Sequence, residues 1–341
     1  MTIRLGIAGV RHPHIGSLFE SIQRHSNIVT LVALAEDDAL LRAQYTLQCD
    51  AATRYYTDYR EMLAVEALDV VAVAAINDAR GAIVCASLEA GAHVLTDKPL
   101  CTTLDDLNAI EAAWRRGDRH LGVMFEKRFW APTHAISALL QSGELGSLAL
   151  AWASGPHRLR RATRPAWMFN PAHYGGILND LAIHDIDLLL WLSGARAGQV
   201  QGFTGNLANR DVPGFADYGQ VYLRTTDGLL ATIEVHWLSP EAAPYHGDYR
   251  LVLTGTEGTA EARWAENELR VTTHRTAPRL VPLSPPRSVV DDFLLAISRG
   301  AAPAIRTPEV LTATRVALLA QSTANSGAWH DWQVVQDRSI T

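Results

Sequence analysis

Over the first ~125 residues, short apolar runs alternate with segments whose apolar residues recur every three or four positions. Runs at 3–10, 28–35, 69–75, 94–96 and 120–125 read as strands, and 15–24, 38–47, 58–64, 79–90 and 103–116 as helices. The run DVVAVAA at 69–75 is apolar after its first residue, as expected of a strand covered on both faces. Gly91 and Gly117 stand where two of the helices close. Strand and helix in alternation are the mark of βαβ units on a parallel sheet.

The texture then changes. Helical periodicity at 131–141 is followed by a strand at 148–153, a long irregular loop at 155–174 and a helix at 176–192 ending at Gly194. Strand-like runs follow at 200–204, 218–225, 229–237, 249–254, 260–264 and 269–273, and Thr226-Asp227-Gly228 is a hairpin signal between two of them. The Pro-rich stretch 278–286 reads as a linker, and 287–298 and 308–324 as terminal helices. The pattern predicts an α/β Rossmann domain over 1–125 and an α+β domain with a largely antiparallel open sheet over 126–341.

Composition agrees with two cores: the chain has 341 residues, 48% of them hydrophobic. A net charge of −6 without long runs argues against a nucleic-acid partner. No apolar run approaches the ~18 residues of a membrane span, and the first residues lack the apolar core of a signal peptide. The three cysteines show no CxxC spacing. These features lead to the expectation of a cytoplasmic protein with reduced thiols.

In a sheet of this kind a dinucleotide pyrophosphate sits at the first βα turn. That turn reads Gly9-Val10-Arg11-His12-Pro13-His14. Of the pattern G-x-G-x-x-G only Gly9 is present; Arg11 and His14 replace the other two glycines. Arg11 could supply a charged fork toward phosphate in place of backbone contacts. Glu36 and Asp37 follow the second strand, where a carboxylate would bond ribose hydroxyls and repel a 2′-phosphate. This favours NAD over NADP. Read singly, Arg11, His12 and His14 are equally well ordinary polar loop residues.

Two further motifs carry a resemblance. The stretch LEAGAHVLTDKPL at 88–100 is similar to the "ALEAGKHVLxEKPL" of the Gfo/Idh/MocA oxidoreductases, with Asp97 for the usual Glu. GGILNDLAIHDID at 175–187 resembles their "GGGxLxDxGxHxxD", lacking a third Gly in its opening run. Arg128-Phe129 and GTEGT at 255–259 match weaker blocks. The usual Thr-Pro after the fourth strand is Ala75-Ile76, the following Asn is kept as Asn77, and a usual His is Arg80. The resemblance implies that Gly9, Val10, Arg11, His12, His14, Glu36, Asp37, Ala75, Ile76, Asn77, Asp97 and Lys98 border the cofactor. It implies catalytic roles for Lys98, Asp180 and His184. It also implies that Pro99 follows a cis peptide.

Physical chemistry makes those roles reasonable. Asp180 and His184 are four apart on an expected helix and share a face. A carboxylate can orient an imidazole that titrates near neutrality. An ammonium at the end of a strand can bond a substrate oxygen and stabilise a developing alkoxide. The same pair could be a satisfied structural pair, or part of a metal site with His173 or Asp187; no HExxH or cysteine cluster supports a metal, and none is expected. Asp187, three residues beyond His184, reads as structural.

No acidic residue occurs from 145 to 179, while His157, Arg158, Arg160, Arg161 and Arg164 crowd before Trp167. This bias raises the expectation of an acidic sugar or polyol, against the plainer reading of a solvated loop or subunit contact. Arg128, Arg164 and Trp167 join Lys98, Asp180 and His184 as candidates for touching substrate. The expected function is NAD(H)-dependent hydride transfer to or from a sugar, polyol or related hydroxy compound. The alternatives are a lyase, epimerase or glycosidase-like enzyme using bound NAD transiently, and a non-catalytic nucleotide sensor. The alternating apolar residues of 218–225 and 229–237 predict a homodimer or homotetramer formed through the second sheet.

Overall fold

The computed structural model describes residues 2–324 and 326–338. They form two compact units: one runs to Met124 and takes in Ser288–Leu311 and the stretch from Gln336, the other comprises Phe125–Arg287 and Thr312–Val335.

The first unit opens with β1 (Ile3–Val10), α1 (Ile15–Arg24), β2 (Val29–Ala35), α2 (Ala39–Thr46), β3 (Arg54–Tyr56) and α3 (Tyr59–Val65). It continues with β4 (Val70–Ala74), α4 (Arg80–Glu89), β5 (His93–Thr96), α5 (Leu104–Arg116) and β6 (Leu121–Val123). The sheet is parallel in the order β3-β2-β1-β4-β5-β6, a Rossmann arrangement. All five residues of β4 are buried, which explains its unbroken apolar run. Asp38, Asp58 and Thr103 cap α2, α3 and α5 by accepting backbone N–H groups of the first turn. In α5, Asp105 and Asp106 at the start and Arg115 and Arg116 at the end complement the helix dipole. The pattern alone misses β3, a three-residue edge strand with Arg54 and Tyr55 exposed. The order reverses between β1 and β4, so the carboxyl ends of these strands flank the crevice where ligands of such sheets bind.

The chain goes on through α6 (Ala131–Gln141), β7 (Leu148–Pro156), α7 (Pro171–Tyr174), α8 (Ile183–Ser193), β8 (Ala197–Gly205), β9 (Tyr218–Thr225) and β10 (Leu230–His236). Then come β11 (Arg250–Gly255), β12 (Gly258–Arg263), β13 (Glu268–Thr273), β14 (Arg279–Leu280), α9 (Val289–Ser298), α10 (Thr307–Thr323) and β15 (His330–Gln333). Of these, α9 belongs to the first unit, where Asp291 pairs with Ser21 and Arg24 of α1.

The second unit holds a nine-stranded sheet, β14-β13-β12-β11-β7-β10-β9-β8-β15. Every pairing is antiparallel except β7 with β10, so the sheet is mixed. Alternation is clean: Val221, Leu223, Ala231, Ile233, Val235, Leu251 and Leu253 are buried on one face. The other face leaves Leu150 51% and Leu230 54% exposed. The hairpin foreseen at 226–228 joins β9 to β10. The Pro-rich stretch contains β14, and β15 has only Trp332 buried, so neither carries a strand pattern. The helix expected at 176–192 is in two parts: a π-helical turn, Leu178–Ala182, leads into α8. Such π turns are rare and frequent at functional sites.

Candidate active site

In the first unit the expected cofactor residues converge on the carboxyl ends of β1, β2, β4 and β5. Gly9 has φ +78°, and a Cβ there would lie 2.7 Å from the Ala75 Cα, so both the conformation and the close approach require glycine. The turn then folds onto β4: the Arg11 and His12 N–H groups donate to the Ala74 carbonyl at 2.9 and 3.2 Å. Pro13 has no N–H. The donors that a glycine-rich turn offers to phosphate are thus spent within the protein.

Glu36 is buried and closes the turn from the β2 side. Its carboxylate accepts the Val10 N–H at 3.0 Å, the Asp38 N–H at 3.0 Å and Arg11 Nε at 2.8 Å. Arg11 also pairs with exposed Asp37. Burial pushes the Glu36 carboxyl up, while Asp37 is held below the usual carboxylate range, first by its bond to Glu36. The Arg11 fork is therefore engaged by carboxylates. Ala75 and Asn77 are buried, and Ile76 half-buried, directly after β4.

At the end of β5, Asp97 is fully buried and receives His12 Nδ1 at 2.5 Å and His14 Nδ1 at 3.0 Å. The Arg80 guanidinium lies 3.8 Å from the same carboxylate, and donates to the carbonyls of Ala75 at 2.8 Å and Pro99 at 2.9 Å. Burial pushes the His12 imidazole down to about 4 despite the attraction of Asp97. Asp97, facing His12 and His14, is held well below the usual carboxylate range against its own burial. Among the described residues His12, His14 and Asp97 are the one set whose donor atoms, within 4.8 Å of one another, could hold a metal. Direct imidazole–carboxylate bonds and a buried guanidinium beside them make it a hydrogen-bonded cluster here. Lys98 is buried, its N–H donates to Asp97 Oδ1 at 2.8 Å, and the Lys98–Pro99 peptide is cis.

The residues present fit a dinucleotide at two places. Exposed Asp37 offers a carboxylate at the end of β2, Glu36 being consumed inside the turn, and Lys98 offers an ammonium at the end of β5. Pyrophosphate would have to be met by side chains rather than by the backbone of the turn.

In the second unit, Asp180 lies in the π turn and is 1% exposed, and half-buried His184 follows in the first turn of α8. Asp180 Oδ2 accepts the Tyr174 hydroxyl at 2.8 Å, and Tyr174 Oη in turn accepts Trp237 Nε1 at 3.1 Å. The His184 ring meets Phe125 edge-on at 6.4 Å. Gly176 has φ +90° and lets the Gln321 amide approach, whose Oε1 accepts the Leu178 N–H at 2.9 Å and so starts the helix.

The remaining candidates lie as follows. Arg128 is buried and forms a two-pronged pair with Asp187, Nε to Oδ2 at 2.7 Å and Nη2 to Oδ1 at 2.6 Å. Beside it, Lys127 pairs with Asp185 at 2.6 Å. Arg164 stacks on Trp237, 4.1 Å from the ring centroid, and donates to the Leu159 carbonyl at 2.6 Å. Trp167 is half-buried in a 3₁₀ turn, Ala166–Phe169. Two of the loop arginines are engaged within the unit: Arg161 pairs with Asp211, and Arg158 bonds the carbonyls of Glu241 and Ala243. Of these, Arg161 has its charge met by a carboxylate, and Arg158 is engaged by neutral carbonyls.

Sequence reasoning missed Tyr174 and Trp237, and gave Arg80 no role beyond a departure from the pattern. One signal was available for Tyr174: it occupies the place of the absent glycine, next to Gly175 and Gly176.

No helix among the described residues is long and apolar enough to cross a membrane. Residues 3–125 match the model of the oxidoreductase family with an NAD-binding Rossmann fold, GFO_IDH_MocA, and 133–261 match the GFO/IDH/MocA C-terminal domain. The chain is 28% identical over 265 residues to an inositol 2-dehydrogenase of Salmonella paratyphi B, covering 76% of this chain and 74% of that protein. It is 27% identical over 214 residues to the oxidoreductase YrbE of Bacillus subtilis, a match spanning 60% of this chain and 58% of that protein. The structure of an oxidoreductase from Erwinia carotovora atroseptica superposes with a TM-score of 0.87 at 27% identity, over 95% of this chain and 99% of that one. Levoglucosan dehydrogenase in complex with NADH and levoglucosan shares the fold, with a TM-score of 0.84 at 17% identity over 97% and 100% of the two chains. The chain belongs to the Gfo/Idh/MocA family of oxidoreductases and carries its NAD-binding Rossmann domain.

Proposed function

We propose that this protein is an NAD-dependent dehydrogenase acting on a neutral sugar or polyol, with Lys98, Asp180 and His184 carrying the chemistry. The observation that supports this most is the buried Asp180 carboxylate, held by a phenol on one side of the π turn with His184 on the next. When bound, NAD supplies the hydride acceptor. His184 takes the proton of the substrate hydroxyl, Asp180 orients the imidazole and stabilises its charged form, and the Lys98 ammonium bonds the reacting oxygen. NAD is favoured over NADP because Asp37 is exposed at the end of β2 and the Arg11 fork is already held by Glu36 and Asp37. A neutral substrate is favoured because Arg161 is paired with Asp211 and Arg158 is held by backbone carbonyls, which leaves neither fork turned to a substrate anion. The half-exposed Leu150 and Leu230 on the outer sheet face support a homo-oligomer formed there.

The test is fluorescence titration with NADH and NADPH, followed by a panel of myo-inositol, levoglucosan, glucose and glucuronate read at the NADH absorbance. NADH should bind more tightly than NADPH, a neutral compound should turn over, and Asp180→Asn or His184→Ala should lower kcat about 100-fold or more. Binding of NADH with full turnover in both variants would overturn the assignment. Tight retention of NAD without net NADH release would point instead to a non-redox reaction.

A further inference from the structure

In the glycine-rich stretch before the active-site helix, this chain has Tyr174 where the family pattern has glycine. The tyrosine is 3% exposed, its hydroxyl donates to Asp180 Oδ2 at 2.8 Å, and Trp237 Nε1 donates to that hydroxyl at 3.1 Å. A glycine offers no such donor. We propose that Tyr174, backed by Trp237, is a positioning residue that fixes the Asp180 carboxylate toward His184, a reading that rests on the catalytic role given to Asp180 above.

The chemistry is consistent at each link. Burial and the charge of Asp180 push the Tyr174 phenol well above its usual range, so it remains an O–H donor wherever the protein is folded. A hydrogen bond to a carboxylate favours its charged form. The indole N–H on the phenol oxygen polarises that O–H and strengthens the bond it gives. The other charged or titratable groups of this neighbourhood are Arg164, which stacks on Trp237 and whose charge is felt by Tyr174 and Asp180, and His184 on the following turn. Asp180 thus has one carboxylate oxygen fixed from α7 and the end of β10, elements separate from its own helix.

The experiment follows the Asp180 carboxyl directly by NMR of carbon-13 aspartate-labelled full-length protein, with its resonance assigned by its loss in Asp180→Asn. Tyr174→Phe should raise the Asp180 titration midpoint by about one pH unit, the size expected for losing a hydrogen bond to a charged group. Trp237→Phe, which keeps the phenol, should raise it by less. An unmoved midpoint in a folded Tyr174→Phe overturns the proposal. Should that variant fail to melt cooperatively, an unmoved midpoint in Trp237→Phe overturns it equally. With myo-inositol or whichever neutral compound turns over, the acid limb of kcat should move up with the midpoint while the NADH dissociation constant stays put. Full activity in Asp180→Asn would sink the catalytic reading and leave the Tyr174–Asp180 coupling to be judged by NMR alone.

Discussion

Replacing Arg128 separates a structural from a substrate-binding role. The pattern of the chain made it a candidate for touching substrate, yet its fork is closed on Asp187 by bonds of 2.7 and 2.6 Å, and its guanidinium lies 5.2 Å from the Trp191 ring. Arg128 is 5% and Asp187 1% exposed, so Arg128→Met would strand a carboxylate in the interior. Breaking one side of such a pair costs about 3–5 kcal/mol. For a unit of this size each kcal/mol moves the melting temperature by about 2–4 °C, which gives a fall of about 6–20 °C. The double variant Arg128→Met/Asp187→Leu removes both charges and should recover most of that loss, because the penalty lies in the uncompensated charge. Calorimetric melts of the wild type, the two single variants and the double variant measure the coupling. Losses that simply add, or an Arg128→Met protein that melts like the wild type while its KM for a polyol rises many-fold, would refute the reasoning.

Three other outcomes are expected. His12 should make the first unit acid-sensitive: the unfolded chain takes up a proton near pH 6.5, the folded imidazole refuses it until about 4, and stability is lost as pH falls through that window. The loss is on the order of 3 kcal/mol, and urea melts of His12→Asn across the window should fall more gently than those of the wild type; parallel curves would contradict this. Gly9→Ala, at φ +78° and with its Cβ 2.7 Å from the Ala75 Cα, should destabilise by about 2 kcal/mol and weaken NADH binding, and unchanged fluorescence titrations would count against the assigned turn. Leu230→Asp on the outer sheet face should convert a sedimenting dimer or tetramer to monomer, and a monomeric wild type would remove the oligomer from consideration.

Much of the fold was legible because the core is periodic. The all-buried β4 and the alternating β9 and β10 announce a parallel and a half-covered sheet respectively. Elements without such a pattern were lost: β3, β14 and β15 are two to four residues long, and pairing rather than burial defines them. The π turn escaped because Asp180 and His184 share a face at helical spacing, which says nothing of how the backbone bonds are made. At the candidate site, the motifs singled out Lys98, Asp180 and His184. The motifs could not show which polar groups are consumed internally. That Ala74 takes the turn's N–H groups, Asp187 the Arg128 fork and Asp211 the Arg161 fork depends on contacts between residues 50 to 63 apart in the chain, which spacing does not encode.

The Arg80–Asp97–His14 contacts bear on how this chain can change by descent. Arg80, Asp97 and His14 each differ from the family pattern, and all three meet at one buried carboxylate. A shorter acid is reached by a longer base, and an imidazole stands where the turn otherwise has glycine. Reverting any one of them alone would leave the carboxylate short of a partner or a cation short of a counter-charge. The three positions should therefore covary among relatives, with His at 80 accompanying Glu at 97 and Gly at 14. A cofactor turn grafted from a glycine-rich relative would need residues 80 and 97 exchanged in the same step.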